Sequence, residues 1–320
     1  MKSDITLSIF IVNFNVRDDL YECLQSIFTS NFSDTLEVIV VDNASQEDSL
    51  GMLRDVYPQV TVLANSVNVG FPKANNQALA IARGEYVLYL NPDTVLMPDT
   101  LTSCLEFMRC NSDVGMMGCK VMTPDGAIQY ECARNFPSLD TMFWDAFYLH
   151  MLFPKSRVFG KALMSYWDHL DSRYVPCLIG AFMLGRRSLI QKLGGMDETV
   201  FMFFEDIDLC YRVHREGYRI YYLADVSIIH KSGRSQKKFR GSLVAANADA
   251  FYMFFKKHRG NIATSISRLI LFIRGVFRFG LSLLLFPFSY LFPRINFRNT
   301  AAPELYWYLI KWAMFPGKGP

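Results

Sequence analysis

Glu205, Asp206 and Asp208 stand within four residues, directly behind the bulky run Phe201-Met202-Phe203-Phe204. Apolar neighbours can raise a carboxyl pKa toward the range useful to a general base, so this cluster is a candidate for taking a proton from a hydroxyl. A second candidate is Asp93, which follows Tyr86-Val87-Leu88-Tyr89-Leu90 through Asn91-Pro92. Such a compact aromatic, β-branched and aliphatic run suits a buried strand. In open α/β sheets, ligands sit outside the carboxyl ends of strands, so Asp93 stands where a metal ion or a phosphate-bearing ligand would lie. Both clusters also have plainer readings. Asn-Pro-Asp is ordinary turn chemistry, and acids in the first turn of a helix are stabilised by its macrodipole.

Positioning these groups takes alternating strands and helices. Leu7 to Val12 reads as a first strand, and Leu20, Cys23, Leu24, Ile27 and Phe28 repeat at helical spacing behind Asp18 and Asp19. Leu36 to Val41 is a second strand that ends in Asp42-Asn43, and Ser45-x-x-Asp48 has the form of a capping box for a helix reaching about Tyr57. Val60 to Leu63 leads into Asn68-Val69-Gly70-Phe71, then a helix with Pro72 in its first turn, running to Arg83 and stopped by Gly84. The repetition predicts a parallel sheet. Asn13 and Asn15, Asp42 and Asn43, and Asn91 and Asp93 end three of its strands and are expected to line one crevice. Neither G-x-G-x-x-G after the first strand nor a G-x-x-x-x-G-K-[ST] loop is present, which excludes two common ways of holding nucleotide phosphates.

Further on, Leu101 to Arg109 reads as a helix, Val114 to Val121 as a strand, and Thr123-Pro124-Asp125-Gly126 as a turn. Tyr130 to Arg173 is aromatic-rich without clear periodicity, the mark of a functional loop or of unrecognised short helices. Tyr174 to Gly185 reads as one strand-like segment, with Gly180-Ala181 where a backbone can approach a ligand closely. The three acids open a helix that stops at Gly217, and Tyr218 to Tyr222 and Val226 to Ile229 read as two strands, the second ending in His230. A basic loop follows, Lys231 to Arg240. Half of the 320 residues are hydrophobic, enough for a catalytic domain with an appendage. A net charge of +3 argues neither for nor against nucleic acid and leaves any basic character local; no nucleic-acid partner is expected. Seven scattered cysteines without a C-x-x-C pair point to reduced thiols and the cytoplasm, and the N-terminus lacks the form of a secretory signal.

Taken in order, Ile11-Val12-Asn13-Phe14-Asn15, Val40-Val41-Asp42-Asn43-Ala44-Ser45, Asn68-Val69-Gly70-Phe71 with Asn75-Asn76, Leu90-Asn91-Pro92-Asp93-Thr94, Gly180-Ala181-Phe182-Met183 and Phe204-Glu205-Asp206-Ile207-Asp208 resemble the family 2 inverting glycosyltransferases of GT-A fold. The resemblance runs from about Ser8 to Ser232 and is strongest to bacterial rhamnosyltransferase-like members that build surface polysaccharides. It implies a Rossmann-like, mostly parallel mixed sheet with flanking helices over residues 1–240. It also implies a nucleotide-sugar donor, dTDP-rhamnose first and a UDP-hexose or UDP-N-acetylhexosamine as the alternative, and a lipid-linked saccharide acceptor. Asp42 would lie near the base, Asn13 and Asn15 around the nucleoside, with Asn68, Gly70, Asn91, Gly180 and Ala181 completing the donor site. Asp93 would bind a divalent metal, Mg2+ or Mn2+, joined by His230, and Asp206 would be the catalytic base in preference to Glu205 and Asp208. Arg234, Lys237 or Lys238 would help to neutralise the departing diphosphate. Many relatives carry two or three acids where this chain has Asn91 and Asp93; one carboxylate with substrate phosphates and water still suits such a metal, while loss of catalysis would leave a nucleotide-sugar-binding module.

Residues 241–320 form a separate helical region. Between Leu269 and Phe286, 13 large apolar residues are interrupted by Arg274 and Arg278, and the insertion energies of the two classes nearly cancel. Projected on a helix, Arg268, Arg274 and Arg278 occupy about a third of the circumference and leave a wide apolar face. An amphipathic helix in the membrane interface is expected, with Lys256, Lys257, Arg259, Arg294 and Arg298 attracted to anionic headgroups. The expected location is the inner face of the cell membrane, and truncation near Arg259 is expected to release a soluble protein.

Overall fold

The computed structural model describes residues 5–231, 240–291 and 303–314. It opens with β1 (Leu7–Asn13), α1 (Arg17–Phe28), β2 (Leu36–Asp42), α2 (Ser49–Val56), β3 (Thr61–Ala64) and α3 (Phe71–Ile81). Next come β4 (Tyr86–Leu90), β5 (Thr94–Leu96), α4 (Thr100–Cys110), β6 (Val114–Met122) and the short β7 (Ala133–Arg134). α5 (Leu139–Ala146) and α6 (Leu149–Leu152) precede β8 (Arg173–Tyr174), β9 (Cys177–Leu178), β10 (Phe182–Arg186), α7 (Arg187–Lys192), α8 (Glu205–Arg215) and β11 (Arg219–His230). α9 (Arg240–His258), α10 (Gly260–Leu291) and α11 (Pro303–Met314) follow. These elements form two compact units, Met1–Phe136 with Trp167–Lys238, and Pro137–Tyr166 with Phe239–Pro320.

In the first unit the sheet order is β3-β2-β1-β4-β10-β6-β11-β5, with β8 beside β11. β1 and β4 are buried at every position, which explains why their sequences lack polar alternation. The pairs β3-β2, β2-β1, β1-β4 and β6-β11 are parallel, whereas β10 runs against both β4 and β6, and β11 runs against β5 and β8. The sheet is therefore mixed, as the resemblance implied; the parallel repetition read from β-α alternation covers β3-β2-β1-β4, and β10 interrupts it before the parallel pair β6-β11. Tyr174 to Gly185 is three short strands, not one segment. Conversely, Arg219–His230 is a single strand that bulges between Leu223 and Ser227, where the two expected strands were divided.

Local signals were also re-used. Asp48, not Ser45, caps α2 by accepting from the Gly51 N–H at 3.0 Å. α3 ends at Ile81 before Gly84, and Gly84 is needed for close packing: a Cβ there would lie 2.5 Å from the Ser8 nitrogen on β1. All seven cysteines are free, and Cys110 alone is exposed.

In the second unit, the aromatic stretch contributes the short helices α5 and α6, the second of the two readings open for it, and α10 packs against α5, α9 and α11. The arginine stripe of α10 turns inward. Arg278 is buried, with its guanidinium 4.0 Å from the Tyr148 ring centre, and Arg268 donates to the Ala313 carbonyl at 3.0 Å. Ile262, Leu269, Val276, Phe277, Leu283 and Leu284 face outward, Ile262 being 80% and Leu284 72% exposed. Among the described residues, no helix is long and apolar enough to cross a membrane. Arg294 and Arg298 lie outside the described residues.

Candidate active site

The ends of β1 and β2 form one polar network. Asn13 donates to the Asp42 carboxylate at 2.8 Å and to Ser45 Oγ at 3.0 Å, while the Asp42 carboxylate accepts from the Ser45 N–H at 2.9 Å. The Asn15 N–H donates to Ser45 Oγ, and the Gln46 N–H donates to the Asn15 side-chain oxygen at 2.7 Å. Asn13 and Asp42 are buried in this arrangement, and Asn15 is partly exposed. Asn15 and Ala44 adopt positive φ of 55° and 66°, a cost for non-glycine residues that clusters at these two strand ends.

Asn43 extends the network. It donates to Asn68 Oδ1 at 2.7 Å and accepts from the Val69 N–H, and Asn68 Oδ1 also accepts from the Gly70 N–H. Gly70 has φ 88° and ψ 160°, and a Cβ there would lie 2.9 Å from the Phe201 carbonyl, which accepts the Phe71 N–H. This bond ties the start of α3 to the segment that enters the acid cluster. Asn76 makes a second tie, donating to the Met196 carbonyl and to Glu198 and accepting from the Met196 N–H.

At the end of β4, Thr94 Oγ1 closes a turn onto the Asn91 carbonyl at 2.7 Å. β5 pairs with β11 so that Thr94 opposes His230, and the Lys231 N–H donates to the Asp93 carbonyl. His230 Nε2 consequently stands 3.2 Å from Asp93 Oδ1 and 3.4 Å from Asn91 Nδ2. Gln129 fixes the imidazole: its amide nitrogen donates to the His230 carbonyl at 2.7 Å, which turns its oxygen toward His230 Nδ1 at 3.0 Å. Nδ1 is then the donor to Gln129, and Nε2 is the ring nitrogen directed at Asp93 and Asn91. Two ligands bound at about 2.1 Å and at a right angle lie about 3 Å apart, so Asp93 and His230 fit adjacent positions on a small divalent cation. Among the described residues no third His, Cys, Asp or Glu joins them, which leaves further positions to phosphate oxygens and water. Lys231 is engaged with Asp19 and Glu22, and Arg234, Lys237 and Lys238 lie outside the described residues.

The three acids of α8 have different surroundings. Asp206 Oδ2 accepts from Arg134 at 2.6 Å and from the Gly180 N–H at 3.0 Å, and its Oδ1 accepts from the Ile207 N–H at 2.7 Å. A carboxylate offers about four lone-pair sites, so about one remains. Asp208 is ion-paired with Arg212, which also donates to the Leu193 and Gly195 carbonyls and thereby holds the turn before the acid cluster. Glu205 is buried, and burial followed by the neighbouring Asp206 charge pushes its pKa up to about 8. Its Oε2 has no hydrogen-bond partner among the described residues. Phe203 and Phe204, at φ 73° and 67°, place backbone strain immediately before this helix.

Gly180 meets the acid cluster through its N–H; a Cβ there would make only ordinary contact with Asp206 at 3.7 Å. The Ala181 carbonyl accepts the Asn91 N–H at 3.1 Å, so one dipeptide joins the Asp206 and Asp93 halves of the site. Arg134 and Gln129 went unrecognised in the sequence. Gln129 is brought beside β6 by the Thr123 to Gly126 turn, a legible signal, but its neighbour on β11 depends on long-range pairing. Arg134 sits on β7 opposite Cys177 of β9, a pairing between two-residue strands that carries no periodicity.

A family model described as "Glycosyl transferase family 2" matches residues 8–194. The chain belongs to this family. It is 28% identical over 237 residues to the N-acetylglucosaminyl-diphospho-decaprenol L-rhamnosyltransferase of Mycobacterium tuberculosis, covering 70% of this chain and 76% of that protein. It is 25% identical over 244 residues to the rhamnosyltransferase WbbL of Escherichia coli K12, covering 72% and 85%. Among solved structures, a mannosyltransferase from Pyrobaculum calidifontis, in complex with GDP-Man and Mn2+, superposes with a TM-score of 0.60 at 17% identity over 99% of this chain and 92% of that one. That likeness establishes a shared fold. The family match ends at Gly194, before α8, so the acid cluster rests on its own geometry.

Proposed function

We propose that this glycosyltransferase transfers rhamnose from dTDP-rhamnose to a lipid-linked saccharide, with inversion at the anomeric carbon and Asp206 as the base. The observation that carries the mechanism is the contrast within α8: Asp206 is held by Arg134 and two backbone N–H groups, Asp208 is ion-paired with Arg212, and Glu205 keeps its proton to about pH 8. A base must keep acceptor capacity for the hydroxyl proton, and Asp206, with three donors on about four lone-pair sites, keeps about one. Gly180 and Arg134 fix its direction. The names of the rhamnosyltransferase relatives support the sugar and the class of acceptor.

Asn15, Asn68, Asn91 and Asp93 offer side chains at the strand ends to the nucleotide-sugar, while Asn13, Asp42 and Gly70 set the loops that present them. Asp93 and His230 would hold Mg2+ or Mn2+, and the bound cation supplies positive charge to the departing diphosphate. The outward apolar face of α10 and the exposed Lys256, Lys257 and Arg259 suit a peripheral position on the inner face of the membrane. The decisive experiment is a screen of nucleotide-sugars with Mg2+ or Mn2+ and a lipid-linked saccharide, reading nucleotide diphosphate release and the product's anomeric configuration. dTDP-rhamnose turnover with inversion is expected. Turnover of a UDP-sugar alone would overturn the donor assignment, and nucleotide binding without turnover of any donor would overturn the enzyme reading.

A further inference from the structure

The second unit holds a charge cluster that the transfer reaction does not use. Arg274 and Arg278 lie one turn apart on the inward side of α10, and both reach Asp145 of α5. Arg274 Nη1 is 2.9 Å from Asp145 Oδ2, and Arg278 is 3.3 Å from Oδ1 and also donates to the Asp145 and Ala146 carbonyls. Among the described residues, Asp145 is the one carboxylate facing these two guanidinium groups. His150 adds no compensating anion; burial, helped by Arg278 and Arg274, outweighs Asp145 and lowers its pKa, leaving it neutral at neutral pH. The cluster therefore carries one positive charge in excess. Arg274 Nε and His150 Nδ1 are both buried without a hydrogen-bond partner among the described residues. Arginine has no acceptor role, so a buried Nε–H without an acceptor is a standing cost that an added anion would remove.

Apolar side chains flank this cluster in sequence along α6 and α10, two of the three helices that build it. Met151, Leu152 and Phe153, next to His150, are more than half exposed, and Val276 and Phe277 lie between the two arginines on the outward side of α10. An anion that brings its own hydrocarbon chain satisfies both features. We propose that Arg274, Arg278 and His150 form a binding site for a lipid-borne phosphate, whose hydrocarbon lies along the exposed Met151, Leu152 and Phe153 beside His150. The oxygens of a phosphate match the forked donors of arginine, and the Tyr148 ring, 4.0 Å from the Arg278 guanidinium, holds that planar fork in place. The inference deepens the proposed use of a lipid-linked acceptor, and two sources share its chemistry: an isoprenoid phosphate or diphosphate of the acceptor type, and a phospholipid headgroup.

The test uses the full-length protein and requires no turnover. Flotation is measured with phosphatidylcholine vesicles, alone or containing either undecaprenyl diphosphate or phosphatidylglycerol, for the native chain, Arg274→Gln and Arg274→Lys. About tenfold weaker binding is expected for Arg274→Gln on phosphate-bearing vesicles, partly restored in Arg274→Lys; loss confined to the undecaprenyl arm identifies the acceptor type, and loss in the phosphatidylglycerol arm identifies a headgroup. Equal binding of native and Arg274→Gln protein to all three vesicles would overturn the site. A second measurement needs no variant: undecaprenyl phosphate is expected to raise the Tm of the native protein more than undecaprenol does, and equal shifts with the alcohol and the phosphate would also overturn it. Nucleotide binding by calorimetry in the same samples separates the two proposals, since its absence would count against the donor reading alone.

Discussion

At the residue scale, the three acids of α8 differ in what surrounds them, and that difference is testable. Asp206→Asn keeps the shape and the Gly180 contact but removes the basic oxygen; a fall in kcat of about 10²- to 10⁴-fold with little change in donor affinity is expected. Steady-state kinetics on Asp206→Asn, Glu205→Gln and Asp208→Asn side by side would sink the assignment if the large kcat loss appeared in Glu205→Gln or Asp208→Asn instead. Glu205 makes a second prediction through pH. Its folded pKa of about 8 lies above the ordinary 4.5, so from about pH 4.5 to 8 the unfolded chain ionises while the folded one stays protonated. Folding stability is therefore lost across that window and levels off above it. Glu205→Gln removes this dependence, so its Tm should gain on the native Tm between pH 5 and 8; parallel Tm curves would show that Glu205 is already ionised in the fold.

At the scale of elements, the site is held by ties between loops that are distant in sequence. Gly70 is the clearest of them, because φ 88° with ψ 160° is a region that essentially only glycine occupies, and the Phe201 carbonyl fills the space beside it. Gly70→Ala is expected to destabilise the fold by about 1–3 kcal/mol through backbone strain. It should also lower kcat, since the Phe71 to Phe201 bond steadies the approach to α8. Denaturant unfolding and kinetics on one preparation check both effects. An unchanged kcat would show that the 201–204 segment is set by Asn76 and Arg212 alone. The parallel half of this sheet was legible from its β-α alternation and strand-end polar residues. β7, β8 and β9 were not, because two-residue strands have no period to read and exist only through their partners.

At the scale of the molecule, the helical unit takes residues from both sides of the β8 to β11 region: α5 and α6 belong with α9, α10 and α11. This changes the expected result of truncation near Arg259. Removing α10 and α11 strips the surface on which α5 packs and leaves Asp145 without Arg274 and Arg278. The truncated chain is expected to aggregate, not to emerge as a well-behaved soluble enzyme, and size-exclusion chromatography of the 1–259 protein decides the matter. A monodisperse, folded product would mean that residues 137–166 are stable without their helical partners.

Taken alone, the amino-acid sequence determined the alternating elements, the polar residues at the ends of β1, β2 and β4, the acid cluster at the head of α8 and the apolar wealth of α10. Each of these is written in local composition or in a period of two or about 3.6 residues. What the tertiary structure decided is which side of each feature does what. A helical projection gives α10 an arginine stripe and an apolar face but cannot say which is inward; Asp145 and the carbonyls of Asp145, Ala146 and Ala313 draw the arginines in and leave the apolar face out. Likewise three neighbouring acids are equivalent in sequence. They become distinct only when Arg134 and Gly180 meet Asp206, Arg212 meets Asp208, and burial with an Oε2 unpartnered among the described residues falls to Glu205, because charge and hydrogen bonding are set by neighbours in space.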